Sequence, residues 1–230
     1  MLLTPVFSPL VAAAGPVVLT YEDNGNNDDN TSSNSYGTLN IGAAASDRVV
    51  LVAVTAKAEI TGIATTSVSI AGANGTKVAG YGYNSGGGTS VLADFYARLV
   101  TAGTTGNITV NYSGSVDRSG VNVYSMTGSG GLFTAHDDDG YTGPSSSGAP
   151  SGTINVPAGG AALGITSQNQ SGGYEWTGLS TEDYDAAMGA TTMSGASQNF
   201  STAQTNLTIT ADFSGSGQRT AFAVVSFSPG

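Results

Sequence analysis

Short stretches in which apolar and polar residues alternate run through most of the chain. In one of them, Ile108, Val110 and Tyr112 alternate with Thr109 and Asn111. A period of two is expected of a β-strand that buries one face, because successive side chains point to opposite sides of a strand. Glycine and small polar residues separate these stretches. The pattern predicts many short β-strands joined by turns.

Three runs of strand length carry apolar residues on both faces. They are residues 49–54, 121–126 and 222–227. Such strands are expected in the centre of a layered structure and not on its rim. The run 91–100 fits a helix or a strand by its period, but its aromatic content and its position between strands favour a strand. Residues 67–81 predict a hairpin with its turn at Asn74-Gly75.

One strand–turn–strand pattern occurs twice. Residues 108–126 align without a gap on residues 209–227, and Ser-Gly-Ser interrupts both copies. Glycine supplies the backbone conformations of a tight turn, so we predict a turn in each copy, at Ser113–Ser115 in the first. A second match relates residues 38–54 to residues 153–166.

These matches predict two similar halves, about 38–126 and 153–228. Two explanations are open. One is duplication, or two equivalent positions within one fold. The other is that any two hairpins of a β-sandwich resemble each other.

The composition favours an all-β protein. The chain has 230 residues, of which 39% are hydrophobic and only 10% are charged, and 34 are glycine. A chain of this length can bury a large core, and helix-favouring Glu, Lys and Leu are scarce. We predict an all-β fold, an antiparallel β-sandwich of jelly-roll type over residues 17–230, with an extended N-terminal arm over residues 1–16.

The arm is apolar and contains Pro5, Pro9 and Pro16. It lacks the Lys or Arg of a signal-peptide n-region, and its prolines interrupt any helix that could cross a bilayer. Apolar side chains exposed to water would promote aggregation, so we expect another subunit or a particle to cover them. The predicted anchors of this assembly arm are Leu2, Leu3, Val6, Phe7 and Leu10.

Charge and residue inventory exclude several functions. The net charge is −10 with only six Lys and Arg residues, so the chain has no basic surface for nucleic acid or an anionic membrane. Cysteine is absent, histidine occurs once, and no Gly-x-Ser-x-Gly nucleophile elbow is present. Glycoside hydrolysis requires two facing carboxylates, for which Glu175, Glu182 and Asp183, near aromatic residues, are the candidates. We predict no enzymatic activity, no catalytic residue and no cofactor.

Two polar segments contain oxygen ligands of the kind that metal ions prefer. Residues 22–35 are rich in Asp and Asn, but they lack the glutamate that closes a helix-loop-helix calcium site. The favoured interpretation is a solvated loop, with a calcium site as the alternative. In residues 134–150, His136 precedes three aspartates. Adjacent side chains of an extended chain diverge, so we interpret this segment as a surface loop and assign no metal site.

Aromatic residues set among glycines and carboxylates indicate a recognition face. The segment 174–185 contains the only Trp of the chain, and residues 80–84 contain two tyrosines. Exposed aromatic rings stack on sugars while nearby Asp and Asn bind hydroxyl groups. The candidate residues are Tyr81, Tyr83, Tyr174 and Trp176, with Tyr141 as a further exposed aromatic residue.

A family resemblance rests on a succession of strand patterns. It comprises residues 47–54, 66–72, 94–97 and 106–114, and the final Ala223-Val224-Val225-Ser226-Phe227. This succession resembles a β-sandwich domain of bacteriophage virion proteins and bacterial surface proteins, whose strands read NRLLVVGV, VTSVTYGG, WYL, G(T/N)xxVTVxxSG and AVSF. The resemblance implies the fold and rests on no catalytic residue.

Two functions are therefore expected. The first is a structural protein of a bacteriophage virion, such as a capsid decoration, head-fibre or tail accessory protein. It would bind other virion proteins, form a homo-oligomer, assemble in the host cytoplasm and act outside the cell. The second is a secreted or cell-surface module that binds glycans, and a host surface glycan is also a candidate partner of a virion protein.

Overall fold

The computed structural model describes residues 15–84, 87–143, 149–215 and 219–230. Within these residues the chain forms seventeen β-strands. The first nine are β1 (Val18–Asn27), β2 (Thr31–Asn40), β3 (Val49–Ala58), β4 (Thr65–Ile70), β5 (Ala73–Asn74), β6 (Thr76–Asn84), β7 (Ser90–Leu99), β8 (Thr105–Val116) and β9 (Arg118–Thr127). The others are β10 (Asp137–Gly143), β11 (Ser151–Val156), β12 (Ala161–Gln168), β13 (Tyr174–Thr177), β14 (Thr181–Ala187), β15 (Thr192–Asn199), β16 (Gln204–Phe213) and β17 (Thr220–Phe227).

The strands form four antiparallel sheets, two from each half of the chain. The first half contributes the sheets β1-β9-β3-β7-β6 and β2-β8-β4-β5, and the second half contributes β10-β17-β12-β15-β14 and β11-β16-β13. In both halves the first strand pairs with the last, and the second strand pairs with the one before the last. This nesting is the strand order of a jelly roll. The predicted all-β, antiparallel sandwich fold is confirmed.

Three apolar cores hold the four sheets together as four layers. One core lies between the two sheets of the first half, one between the two sheets of the second half, and a central core between the two five-stranded sheets. The predicted core residues Val50, Val52, Ile108, Val110, Val123, Phe222 and Val224 are all buried. The sequence predicted one sandwich, whereas each half forms its own and the two are stacked.

The period of the central strands explains this stack. In β3, Val50 and Val52 enter the core of the first half, whereas Leu51 and Ala53 enter the central core. In β17, Phe222 and Val224 enter the core of the second half, whereas Ala223 and Val225 enter the central core. A strand that is apolar on both faces therefore serves two cores.

The two ends of the stack differ. At one end, the Val17 N–H donates to the Gly159 carbonyl (2.7 Å) and the Gly230 N–H donates to the Gly128 carbonyl (3.1 Å). Both described ends of the chain therefore lie here, and we call this the terminal end. Strands β3 and β12 both begin at this end, so the last residues of both, including Lys57, lie at the opposite or distal end.

Equivalent hydrogen bonds join the halves at the two long edges of the central core. The Tyr81 hydroxyl, on β6, donates to Asp138 on β10 (3.1 Å). At the other edge the Tyr184 hydroxyl, on β14, donates to Asn26 on β1. Strands β6 and β14 occupy the same place in their sheets, as do β1 and β10. The halves are thus related like the two subunits of a symmetric dimer.

Two predicted turns are wrong. Strand β8 continues through Ser113–Ser115 to Val116, and the chain turns at Asp117 into β9, which lies in the other sheet. The hairpin of β4 and β5 turns at Ala71-Gly72, where both φ angles are positive, and not at Asn74-Gly75. At Gly75 the chain passes from one sheet to the other so tightly that a Cβ would lie 2.8 Å from the Ile70 side chain.

Two segments predicted to be loops, and the candidate recognition segment 174–185, contain β-strands. Residues 22–35 belong mostly to β1 and β2, residues 134–150 include β10, and residues 174–185 include β13 and most of β14. Strands β10 and β14 are edge strands of the five-stranded sheets, and their outward side chains face solvent. Charged side chains on an edge strand prevent pairing with other chains. They also give the strand the amino-acid composition of a loop. The described residues include no helix that could span a membrane.

Candidate functional site

A depression on the described surface lies at the distal end, where the two halves meet. This distal groove encloses about 480 Å³. A second depression of about 380 Å³ adjoins it and shares Arg118. The groove is lined by Asn26, Asn27, Asp28, Arg118, Ala187, Met188 and Gly189. The adjoining depression is lined by Asn30, Lys57, Glu59, Asp117, Arg118, Ala190 and Thr191.

Strand register brings these separate segments together. Asn27, at the end of β1, pairs with Ser119, which places the last residues of β1 beside Arg118 at the start of β9. On the other side, Met188 and Thr191 exchange backbone hydrogen bonds of 2.7 and 3.2 Å and close the turn between β14 and β15. The groove is therefore formed by the end of β1 and the start of β9 from the first half and by one hairpin turn from the second.

Backbone carbonyls hold one side of the Arg118 guanidinium. Its Nη1 donates to the carbonyl of Asp117 (2.5 Å) and to that of Asp28 (3.3 Å). A Cβ built on Gly189 would lie 3.5 Å from Nη2 and 3.6 Å from Nε, so the other edge of the guanidinium faces this glycine. Within the described ranges, no carboxylate lies in ion-pair distance of Arg118. The edge formed by Nε and Nη2 therefore packs against the backbone of Gly189.

The neighbouring charges are paired with one another. Lys57 Nζ contacts Glu59 and lies 3.1 Å from Asp117 Oδ2. The hydrogen bond from Lys57, followed by that from the Thr89 hydroxyl (2.7 Å), holds the pKa of Glu59 below its usual range. Arg219 lowers the pKa of Glu59 further. Three of the six Lys and Arg residues, Lys57, Arg118 and Arg219, thus lie at the distal end.

The four candidate recognition residues do not form one exposed face. Tyr81 and Tyr83 pack against the rim of the central core. Burial, together with the charge of Asp138, raises the pKa of Tyr81 to about 12. Tyr174 and Trp176 lie in the other half, where both pack in its own core.

The expectation for Tyr174 and Trp176 is corrected by their contacts. Tyr174 is only 5% exposed, its ring lies 5.0 Å from that of Phe213, and its hydroxyl donates to Gln168 (2.9 Å). The half-buried Trp176 ring stacks on Phe222 at 5.9 Å. Both side chains place a polar tip on an internal acceptor and bury the rest. Their types alone did not indicate whether they face inward or outward.

The candidate carboxylates Glu175, Glu182 and Asp183 lie on β13 and β14 and are close enough for their charges to interact. Asp183 accepts a hydrogen bond from the buried Tyr124 hydroxyl (3.1 Å), and burial raises its pKa. Burial, followed by the charge of Asp185, raises the pKa of Glu182. Glu175 lines a different depression on the second half.

The acidic segment after His136 uses its carboxylates to bind neighbouring strands. Asp137 accepts bonds from the backbone N–H and the side chain of Asn155 (2.7 and 2.9 Å), and the backbone bond lowers its pKa. Asp139 accepts from the Thr153 N–H (2.7 Å), whereas Asp138 binds Tyr81. In the part of the chain that the structure describes, no group of three or more His, Cys, Asp or Glu residues is placed so that it could hold a metal ion.

The assembly-arm residues Leu2, Leu3, Val6, Phe7 and Leu10 lie outside the described residues. The distal groove, in contrast, was not predicted. The signal that could have indicated it is the recurrence of arginine in the two repeat copies, as Arg118 and Arg219. No protein-family model, curated protein or solved structure matches this chain.

Proposed function

We propose that the protein is a structural component of a bacteriophage virion that attaches to the particle or to its own copies through residues 1–16. The observation that carries this proposal is that the two ends of the stack differ, with both described chain ends at one of them. Val17 and Gly230 both bond to turns at the terminal end, and the apolar segment precedes Val17 in the sequence. An attachment at this end would leave the distal groove facing outward.

The stacked cores support a role as a rigid building unit. The central core joins the two jelly rolls over both five-stranded sheets, and its residues, such as Phe95, Tyr124 and Phe227, are almost fully buried. Because folded cores are close-packed, the two halves transmit force as one body. The strand patterns that resemble virion β-sandwich domains agree with this proposal.

The arm can supply enough binding energy for attachment. Burying about four large apolar side chains at about 1.5–3 kcal/mol each gives a gross gain of roughly 6–12 kcal/mol before ordering costs. Leu2, Leu3, Phe7 and Leu10 are the side chains expected to contribute it. An extended path along a neighbouring subunit suits a segment whose prolines remove backbone donors.

Deleting residues 1–14 tests the proposal, because the deletion stops before Pro16 and Val17, whose contacts hold the start of β1. The truncated protein should keep its circular dichroism spectrum and Tm but lose self-association in sedimentation experiments and incorporation into purified particles. A matched variant keeps the length and replaces Leu2, Leu3, Phe7 and Leu10 by Ser. If both variants assemble as well as the full chain, the arm has no attachment role and the virion proposal loses its main support.

A further inference from the structure

We propose that the terminal end is the docking surface for a second copy of this chain, with residues 1–14 of both copies between the two ends. This inference rests on the proposed attachment through residues 1–16, and it names the partner and the surface that receives the segment. A two-fold axis would present the same surface of each copy to the other, as in most homodimers.

The loops and chain ends at the terminal end are nearly free of charge. They are residues 15–17, 41–48, 100–104, 128–136, 157–160, 200–203 and 228–230. These segments contain one carboxylate, that of Asp47, which accepts a hydrogen bond from the Gly128 N–H (2.8 Å). Their only Lys or Arg residue is Arg48, which is fully buried. Because the net charge of −10 makes acidic surfaces of two copies repel each other, these uncharged loops favour the approach of a second copy.

Exposed apolar side chains concentrate at the same end. Among the described residues, the exposed large hydrophobic side chains are Val18, Leu99 and Leu132 at the terminal end and Ile60 at the distal end. Leu132 is 65% exposed. A Cβ built on Gly131 would lie 3.1 Å from Leu99 Cδ1, so the segment that carries Leu132 lies against Leu99. Apolar side chains gathered on one exposed surface indicate an interaction site.

Prolines and glycines connect Leu132 to the start of the described chain. Gly230 packs against the segment that carries Leu132. A Cβ built on Gly159 would lie 3.3 Å from Pro229 and 3.5 Å from Pro16. The chain therefore enters the described structure on the same surface that exposes Leu132.

A second copy covers this surface better than the chain's own residues 1–14 do. The predicted anchors of the arm outnumber the three exposed apolar side chains of one terminal end. A segment that lies on one end is covered on one side, whereas a segment between two ends is covered on both and buries more apolar area. Fourteen extended residues span about 46 Å, whereas the five strands of one sheet span about 19 Å. Each segment can therefore reach across the partner's end.

Engineered disulfides test this pairing, because the chain contains no cysteine. Phe7→Cys and Leu132→Cys are made singly and together in the full chain. After oxidation of the mixed single variants, mass spectrometry should find peptides of two chains linked between positions 7 and 132. The double variant should form a covalent dimer with two such links. Ile60→Cys, at the distal end, is the matched control and should not link to position 7.

Sedimentation of substitution variants measures the same contact without a crosslink. Leu99→Ser combined with Leu132→Ser should weaken self-association by about ten- to hundred-fold, because two apolar side chains are lost from the contact. The Tm should hardly change, since both side chains are exposed in the single copy. Ile60→Ser removes an exposed apolar side chain from the distal end and should leave self-association unchanged.

The outcomes separate this inference from the proposed attachment. If the variant lacking residues 1–14 fails to enter particles while the Leu99 and Leu132 variant self-associates normally, the attachment stands and the docking surface is wrong. A link between positions 7 and 132 within a single chain would show that the segment folds back on its own copy, which overturns the inference. A full chain that stays monomeric, or a mixture that forms no link between these positions, would overturn it as well.

Discussion

Arg48 is the largest side chain that the fold buries completely, and replacing it should destabilise the first jelly roll strongly. Its Nε donates to the carbonyl of Val100 (2.8 Å), and Nη2 donates to that of Ala102 (2.9 Å). Nη1 donates to the carbonyls of Gly42 (2.5 Å) and Gly103 (2.9 Å). One guanidinium therefore joins the loop before β3 to the loop between β7 and β8.

The expected magnitude follows from the acceptors that would be left. In Arg48→Met, the carbonyls of Val100 and Gly42 lose a charged donor in a buried site, and each buried unsatisfied group costs about 1–3 kcal/mol. The carbonyls of Ala102 and Gly103 lose theirs at a partly exposed site, where water can replace the donor. Burial also lowers the pKa of Arg48, so the variant recovers part of the cost of desolvating a cation. We expect a net loss of about 3–5 kcal/mol, in line with breaking other buried charged arrangements. For a chain of this size that loss lowers the Tm by roughly 6–20 °C.

The measurement is urea unfolding followed by circular dichroism, with calorimetry for the Tm. Arg98→Met is the matched control, because the Arg98 guanidinium also binds backbone carbonyls, here the two of Ile70 and Ala71, but its side chain is only half-buried. Water can replace its bonds, so a loss of about 1 kcal/mol is expected. A result in which Arg48→Met unfolds within about 1 kcal/mol of the unmodified protein would refute the assignment of Arg48 as a structural link.

Three further substitutions test the core, the edge between the halves and the pH dependence. Phe222→Ala removes a fully buried ring from the second-half core and should cost about 3–5 kcal/mol through the cavity it leaves, and an unchanged Tm would contradict that placement. Asn199→Ala removes the two hydrogen bonds by which the Asn199 side chain holds the backbone of Leu19 (2.8 and 3.0 Å). The backbone N–H of Leu19 should then exchange faster with solvent, and the free energy of unfolding should fall by about 1–2 kcal/mol. Unchanged hydrogen exchange would argue against this link between the halves. Burial raises the pKa of Asp183, so its protonated form is favoured in the folded state and its stabilising contribution is lost as pH rises through that pKa. Asp183→Asn, which keeps an acceptor for Tyr124, should therefore be more stable than the unmodified protein near pH 7. In urea titrations the difference in the free energy of unfolding should shrink toward about pH 4. A difference that stays constant with pH would contradict this reasoning.

The alternation of apolar and polar residues was sufficient to predict the strands and the interior. Period-two segments such as 108–112 form strands, and the apolar runs 49–54 and 222–227 form central strands, as predicted. This succeeds because burial of one or both faces is a local property of a strand and leaves its mark on every second residue.

The alternation of apolar and polar residues did not predict the edge strands of the sheets. Strands β10 and β14 pair on one side only and carry aspartates and glutamates toward solvent, so their sequences have the composition of loops. Whether Tyr174 and Trp176 face inward or outward was equally ambiguous, because each ring packs in the core of the second half while its polar atom binds an internal partner. Composition records the polarity of a side chain but not the neighbour that satisfies it.

The sequence by itself determined that the chain folds into antiparallel β-strands with a large apolar interior, and that its two halves have similar strand patterns. Only the tertiary structure decided that the halves stack through their five-stranded sheets and that Asn26, Arg118 and Gly189 meet at the distal end. Strand periodicity states how many faces of a strand are buried. Which sheet covers each face, and which distant turns then become neighbours, depends on long-range packing that no local pattern encodes.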